Sequence, residues 1–374
     1  VMAYLDTLKS ELALLKRELP QGVTLNRLHW GGGTPTLLSP SMMQDLAGTI
    51  FDVAPLGESA EFSVEIDPNE IDEARLDVLA ASGMNRASIG VQDFDEEIQQ
   101  TIGRIQGYDV TRDAATMIRE RGVASLNADI LFGLPHQSQE RMTTSVQKLL
   151  SLNPDRVALY GYAHVPWMKT NQKLIPEAAL PDALQRLQQS SLASDMLQDG
   201  GYVPIGIDHF ARPEDALAVA AFEGRLHRNF QGYTDDACSS LVGIGASSIG
   251  RLPAGYVQNE TATGNYMRQV SAGQLPVSRG IELTDEDKLN ADIIEQLMCQ
   301  YSFAISDLKT RHDKQLDTLS ARIEAALSAD LDNLASFDGD TFRVQPQSRA
   351  FVRTVASWFD SRMQEKAARY SMAV

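Results

Sequence analysis

An α/β fold is predicted, a partial (β/α) barrel followed by a mainly helical C-terminal domain, and three observations predict it. Short apolar runs alternate with amphipathic stretches through the first 165 residues. Residues that start and stop helices fall between those runs. From residue 284 the pattern turns helical. The expected division is 1–283, barrel-like to about 165 and then extended, and 284–374 for the helical domain. A chain of 374 residues, 43% hydrophobic, can bury one large core and one smaller one.

The elements follow in order. Leu5, Leu8, Leu12, Leu15 and Leu19 recur at intervals of three and four and predict a helix that Pro20 ends. Strands are expected at 24–30, 62–66, 85–91, 126–132 and 156–162. Ser39 caps a helix with Pro40 in its first turn, and Met42, Leu46, Ile50 and Val53 form its stripe. Asp95, Asp109 and Ser138 are further candidate N-caps, and Gly83 and Gly122 stand where helices end. Five units of this kind give a parallel sheet with crossover helices. The opening helix has no strand ahead of it and Val1 is not methionine, so the native N-terminus is expected upstream. Later come a helix at 181–197, a strand at 202–207 and a small-residue stretch at 243–250. Helices at 285–301, 313–334 and 349–366, with a hairpin at 337–344, complete the chain.

The formal charge of −17 makes the chain a poor general binder of nucleic acid or anionic membrane. No apolar run is long enough to span a bilayer and no secretory segment opens the chain, so a cytoplasmic protein is expected. Cys238 and Cys299 follow no metal-type spacing. Two thiols exclude a disulfide framework and a self-contained iron–sulfur site, so no metal site is expected in this chain.

In such barrels ligands bind among the loops that follow the strands. After the first strand comes Trp30-Gly31-Gly32-Gly33-Thr34-Pro35-Thr36. It serves either as a tight turn or as a backbone able to approach a ligand closely. Glu65 stands near the end of the second, otherwise apolar strand, and needs a structural ion pair or a ligand ammonium. The third strand ends in Gly90-Val91-Gln92-Asp93-Phe94, the fourth carries Asn127 and Asp129 on one face, and the fifth ends in Tyr160-Gly161-Tyr162-Ala163-His164. Arg104 is expected on the helix after Gln92, on a solvated face. Two basic patches follow: His209 with Arg212, and His227 with Arg228. They suit a flat ring bearing carboxylates, or ordinary loop ion pairs.

Taken in order, Trp30 to Thr36, Glu65-Ile66-Asp67-Pro68, Gly90 to Phe94, Gly133-Leu134-Pro135 and His227-Arg228-Asn229-Phe230-Gln231-Gly232-Tyr233-Thr234 resemble the oxygen-independent coproporphyrinogen III oxidases of the radical S-adenosylmethionine (SAM) superfamily. The resemblance runs along nearly the whole chain. It implies a radical SAM barrel lacking its first strand. It also implies oxidative decarboxylation of two propionates of coproporphyrinogen III to the vinyl groups of protoporphyrinogen IX, by a 5′-deoxyadenosyl radical from SAM, in haem biosynthesis. Two SAM molecules are implied, the first near Gly32, Glu65 and Ile249, the second near Gly33, Thr34, Gln92, Arg104, Asp129 and Ala163. The [4Fe–4S] cluster of the family needs a C-x3-C-x2-C motif that this chain lacks. An external electron donor and acceptor and a monomeric state are further expectations. A haem-binding chaperone relative is the alternative, against which 226–234 argues. An unrelated barrel enzyme holding phosphate at 31–33 is a third.

Overall fold

The five expected strands all form, and the reason is visible in their alternation. A computed structural model describes residues 1–312, 316 and 318–362. It opens with α1 (Met2–Glu18), which buries Leu5 and Leu12. The chain then runs through β1 (Leu25–Trp30), α2 (Pro40–Val53), β2 (Leu56–Ile66), α3 (Glu73–Ala81), β3 (Arg86–Gln92), α4 (Glu96–Ile102), α5 (Tyr108–Glu120), β4 (Ser125–Phe132), α6 (Gln139–Ser151) and β5 (Arg156–Gly161). Strands β1 to β5 lie side by side in chain order and run parallel.

Ser39, Asp95 and Ser138 cap as expected, each side chain accepting from backbone N–H groups of its helix. Asp109 does not cap. Gly107 precedes α5, and Asp109 sits in its first turn, paired with Arg112 at 2.7 Å. There its charge still suits the positive end of the helix. Gly83 and Gly122 take φ of +94° and +76° just after α3 and α5, where a left-handed residue ends a helix at least cost.

The period-two pattern gives the sheet two unlike faces. Phe62, Val64 and Ile66 of β2, Ala87, Ile89 and Val91 of β3, and Leu126, Ala128 and Ile130 of β4 are buried. The intervening residues form polar rows across the strands. One row, by register, is Glu65, Ser88, Asn127 and Arg156; the next up contains Gly90, Asp129 and Ala158.

The chain divides into two compact units, Val1–Tyr202 with Cys238–Ile281, and Val203–Ala237 with the chain from Glu282 onward. The first continues with α7 (Ala183–Asp199). The second takes β6 (Val203–Ile205), β7 (His209–Ala211), α8 (Ala216–Phe222), β8 (His227–Asn229) and β9 (Gly232–Thr234). The sequence expected a cut at 283/284. Residues 203–237 instead join the later chain, because Leu217, Leu226 and Tyr233 pack with Cys299 and the Tyr233 hydroxyl donates to the Met298 carbonyl at 3.0 Å.

The first unit resumes with β10 (Ile249–Leu252), β11 (Gly255–Asn259), α9 (Thr263–Ser271) and β12 (Val277–Glu282). These strands form a small antiparallel sheet that the sequence did not predict, since they are short and rich in glycine and exposed residues. The second unit ends with α10 (Asp285–Gln300), β13 (Ser302–Ala304), α11 (Ile305–His312), α12 (Leu319–Ser328), β14 (Ala335–Phe337), β15 (Thr341–Val344) and α13 (Val352–Ser357). Phe303, Phe342 and Phe359 form its aromatic centre, with ring centroids 5.2–5.4 Å apart. The hairpin expected at 337–344 is β14–β15. Of the helix expected at 313–334, residues 313–315 and 317 lie outside the described residues, as do 363–366 of the last one. Among the described residues, no helix is long and apolar enough to cross a membrane.

Candidate active site

The C-terminal ends of β1–β4 converge on one polar mouth. Past β1, Gly32 adopts φ +75°, which only glycine tolerates freely, and turns its N–H toward Glu65 Oε2 at 3.3 Å. The imidazole of His29 lies 3.4 Å from Glu65 Oε1 and is itself oriented by Ser63 Oγ at 2.8 Å. The hydrogen bond from His29 holds the Glu65 carboxyl below the usual carboxylate range, against the opposing effect of burial. The side chain remains 47% exposed. The result is a fixed, charged carboxylate open to a cationic ligand.

Gly31 leaves room for this pair. A Cβ there would stand 2.5 Å from His29 Nε2 and 2.7 Å from the Glu65 carboxyl carbon. Both obstacles are side-chain ends, so Gly31→Ala is expected to fold normally and to push the carboxylate aside. Affinity for a cationic ligand held by Glu65 should drop by roughly tenfold, the loss of about one charge-assisted hydrogen bond, with the melting temperature nearly unchanged. Equilibrium dialysis beside a thermal melt checks both halves.

At the end of β3 the register slips between Gly90 and Gln92, and Gln92 takes φ +65°. Such strain in a non-glycine residue marks a backbone held by its surroundings. The holder is buried Asp93. Its carboxylate accepts from Asp95 N at 2.7 Å, Ser145 Oγ at 2.8 Å and Gln137 Nε2 at 2.7 Å. Burial raises its pKa, and those three donors oppose the rise.

Arg104 departs from the expected solvated helix face. Helix α4 ends at Ile102, Gly103 turns the chain at φ +71°, and Arg104 swings back to give Nη2 to the Gly90 carbonyl at 3.2 Å. Its guanidinium also lies 3.8 Å from Asp67. Asp129 pairs in register with Gly90 and accepts from Asn127 Nδ2 at 2.8 Å, and the same amide reaches Ser88 Oγ at 2.8 Å. Ala163 stands exposed just past β5, its carbonyl accepting from Gln172 at 3.1 Å. Gly33 and Thr34 continue the loop after Gly32, with Thr34 opening a short 3-10 turn. Ile249 starts β10 in the small antiparallel sheet, and its carbonyl lies against Gly243.

The basic candidates lie in the second unit. His209 Nδ1 pairs with Asp208 at 2.7 Å, and its ring meets Tyr233 edge-on at 5.3 Å. The Arg228 guanidinium covers the other aromatic contact, 5.4 Å from the same ring. Its Nε is buried with no hydrogen-bond partner among the described residues. Thus His209 and Arg228 are brought together around Tyr233. His227 turns instead to Glu295 at 3.1 Å. Arg212 follows β7, its carbonyl accepting from Asp215 N at 3.0 Å.

The donor set of the mouth fits SAM: a charged carboxylate for an ammonium, glycine backbone for close approach, and amide and carboxylate groups for a ribose. A [4Fe–4S] cluster does not fit these residues. Cys238 is exposed, Cys299 is buried with its thiol pushed up to about 12 by desolvation, and no group of three metal-ligating side chains occurs among the described residues.

Residues 4–149 match the model of the Radical SAM superfamily. That sets the class of protein to which the mouth belongs, and membership implies SAM and a [4Fe–4S] cluster. The chain is 53% identical over 360 residues to the oxygen-independent coproporphyrinogen III oxidase of Paracoccus denitrificans, covering 96% of this chain and 80% of that protein. It is 41% identical to that of Bradyrhizobium diazoefficiens, covering all of this chain and 83% of the relative. The solved structure of the coproporphyrinogen III oxidase of Escherichia coli, described as a radical SAM enzyme, matches with a TM-score of 0.92 and 36% identity over 96% of this chain and 82% of that one. The chain belongs to the oxygen-independent coproporphyrinogen III oxidases.

Sequence reasoning missed Arg186 of α7 and Glu11 of α1. Arg186 stands among glutamines and leucines with nothing to mark it, whereas Glu11, three residues after Leu8 and four before Leu15, lies on the leucine face of α1, the signal that could have found it.

Proposed function

We propose that this chain forms the SAM-binding and substrate-binding body of an enzyme that decarboxylates two propionates of coproporphyrinogen III to vinyl groups without oxygen, giving protoporphyrinogen IX. The observation that carries the reading is Glu65. It is half-exposed, fixed by His29 and the Gly32 N–H, and kept charged at the mouth of a radical SAM fold.

Gly32, Glu65 and Ile249 are proposed to hold one SAM. Gly33, Thr34, Gln92, Arg104, Asp129 and Ala163 are proposed to hold a second. When bound, SAM would supply the radical chemistry that removes a hydrogen atom from each propionate. The chain's own residues bind, orient and exclude water; no general base is required of them. The cluster's thiolates would come from outside these 374 residues, which hold two cysteines. Arg228, with its orphaned buried Nε, suits a propionate carboxylate. An external electron donor and acceptor, a monomeric state and a cytoplasmic location belong to the same reading.

The test is an anaerobic assay of the cluster-loaded protein with SAM, coproporphyrinogen III, an electron donor and an electron acceptor. Vinyl product and methionine are expected. Tight haem binding without decarboxylation would overturn the reading in favour of the chaperone relatives. In the same assay Arg228→Ala is expected to raise KM for the tetrapyrrole by roughly tenfold or more, the loss of one charged hydrogen-bonding partner, while SAM binding stays unchanged.

A further inference from the structure

Arg186 stands in the first turns of α7, yet its guanidinium lies across the ends of β4 and β5. Nη1 donates to the Tyr162 carbonyl at 2.9 Å, and the cation lies 5.7 Å from the Phe132 ring centroid. Two glycines make the space. A Cβ on Gly133 would approach within 2.9 Å of Cζ, and one on Gly161 within 3.2 Å of Nη2. Gly133 also takes φ +81°.

Five other partly buried arginines of this part of the chain show what is missing. Arg75, Arg86, Arg119, Arg121 and Arg141 each pair with a carboxylate within 4 Å. Arg186 meets one carbonyl and one ring, and no carboxylate pairs with it among the described residues. A guanidinium offers five N–H donors in a planar fork suited to carboxylate. In a chain of net charge −17, a half-buried fork kept clear of acidic side chains is a place held open for an anion. Burial also pulls its pKa down, the cost an arriving carboxylate would offset.

We propose that Arg186 receives a ligand carboxylate at the β4–β5 side of the mouth. Two ligands of the reading above, on which this proposal rests, carry one: SAM through its methionyl end, and the tetrapyrrole through its propionates. Arg186 is distinct from every residue assigned to either ligand so far. A bare structural clamp on Tyr162 is the competing role. That role would weaken all ligands alike, whereas a carboxylate receptor distinguishes ligands that have the group from those that lack it.

The experiment uses the cluster-loaded protein, wild type and Arg186→Gln. Equilibrium dialysis measures SAM against its decarboxylated analogue, and coproporphyrinogen III against its tetramethyl ester. The variant should lose roughly tenfold or more in affinity for one acid and little for its carboxylate-free counterpart. Selective loss in the SAM pair assigns the methionyl carboxylate; selective loss in the tetrapyrrole pair assigns a propionate. Unchanged affinity for both acids, or equal loss within each pair, would overturn the proposal while leaving the functional reading intact. Wild-type protein that binds neither acid would sink that reading and this one with it. Arg186→Lys, which keeps the stem over Phe132 and the charge but not the fork, carries the same comparison if the glutamine variant fails to fold.

Discussion

Glu65→Gln is expected to weaken SAM binding by roughly a hundredfold and to lower turnover at least as far, with the fold retained. A charged hydrogen bond contributes about 1.5–3 kcal/mol, and each 1.4 kcal/mol is tenfold in affinity. Here two losses combine. The neutral amide cannot balance a ligand ammonium, and its NH2 group can be left facing the Gly32 N–H, donor to donor. Because the side chain is half-exposed, water relieves the change in the empty protein, so stability should move little. The pH dependence has a definite sign. The folded pKa lies below the usual value, so the charged state is present above the unfolded value and is lost only as pH falls through the depressed one. Binding of SAM should therefore hold on the acid side further than an ordinary glutamate would allow. Dialysis of SAM across that range, with wild type and variant, checks the prediction. A variant that binds like wild type removes Glu65 from the site.

Gly31→Ala and Glu65→Gln address the same pair from opposite sides; the sequence singled out both segments, but not that Gly31 makes room for Glu65 and His29. Glu65 is the one carboxylate of the expected strand 62–66, in phase with Ser63 on its polar face. The strands were readable because each is a run of alternating or continuous apolar residues bounded by caps and glycines. Arg104 was not readable, because the end of α4 turns on Gly103 and local periodicity continues past it. The polar rows Glu65–Ser88–Asn127–Arg156 and Gly90–Asp129–Ala158 exist only through register, which a single strand does not contain. The grouping of 203–237 with the C-terminal elements depends on Tyr233 and Leu226 finding Cys299, a pairing across more than sixty residues. Arg186 is the extreme case. It stands among glutamines and leucines on a helix, and its meaning comes from two distant glycines and from the lack of a paired carboxylate among the described residues.

Glu11→Ala is expected to cost about 3–5 kcal/mol of stability, because it leaves buried neutral donors unsatisfied at about 1–3 kcal/mol each. Glu11 is 2% exposed. Its carboxylate accepts from the Tyr266 hydroxyl at 2.6 Å, the Gly245 N–H at 2.8 Å and Asn259 Nδ2 at 2.7 Å. Alanine would strand the buried Tyr266 hydroxyl and the Gly245 N–H, whereas Asn259 Nδ2 keeps the Gly245 carbonyl and Ser248 Oγ, each at 3.0 Å. Those same bonds fix 245–248, where Gly245 and Ser247 have positive φ and Ala246 N–H donates to the Tyr4 hydroxyl at 3.0 Å. Glu11 thus ties α1 to the turn that leads into Ile249. Burial raises its pKa, and the three donors only partly oppose the rise. A raised folded pKa means that the stabilisation linked to its proton is full below the unfolded value and fades as pH climbs through the folded one. Urea unfolding of wild type should therefore show a Glu11 contribution that declines with rising pH, and Glu11→Gln should flatten that decline while sacrificing one acceptor. If alanine costs under about 1 kcal/mol, the three donors have found other partners, and the turn before Ile249 is held by something other than this carboxylate.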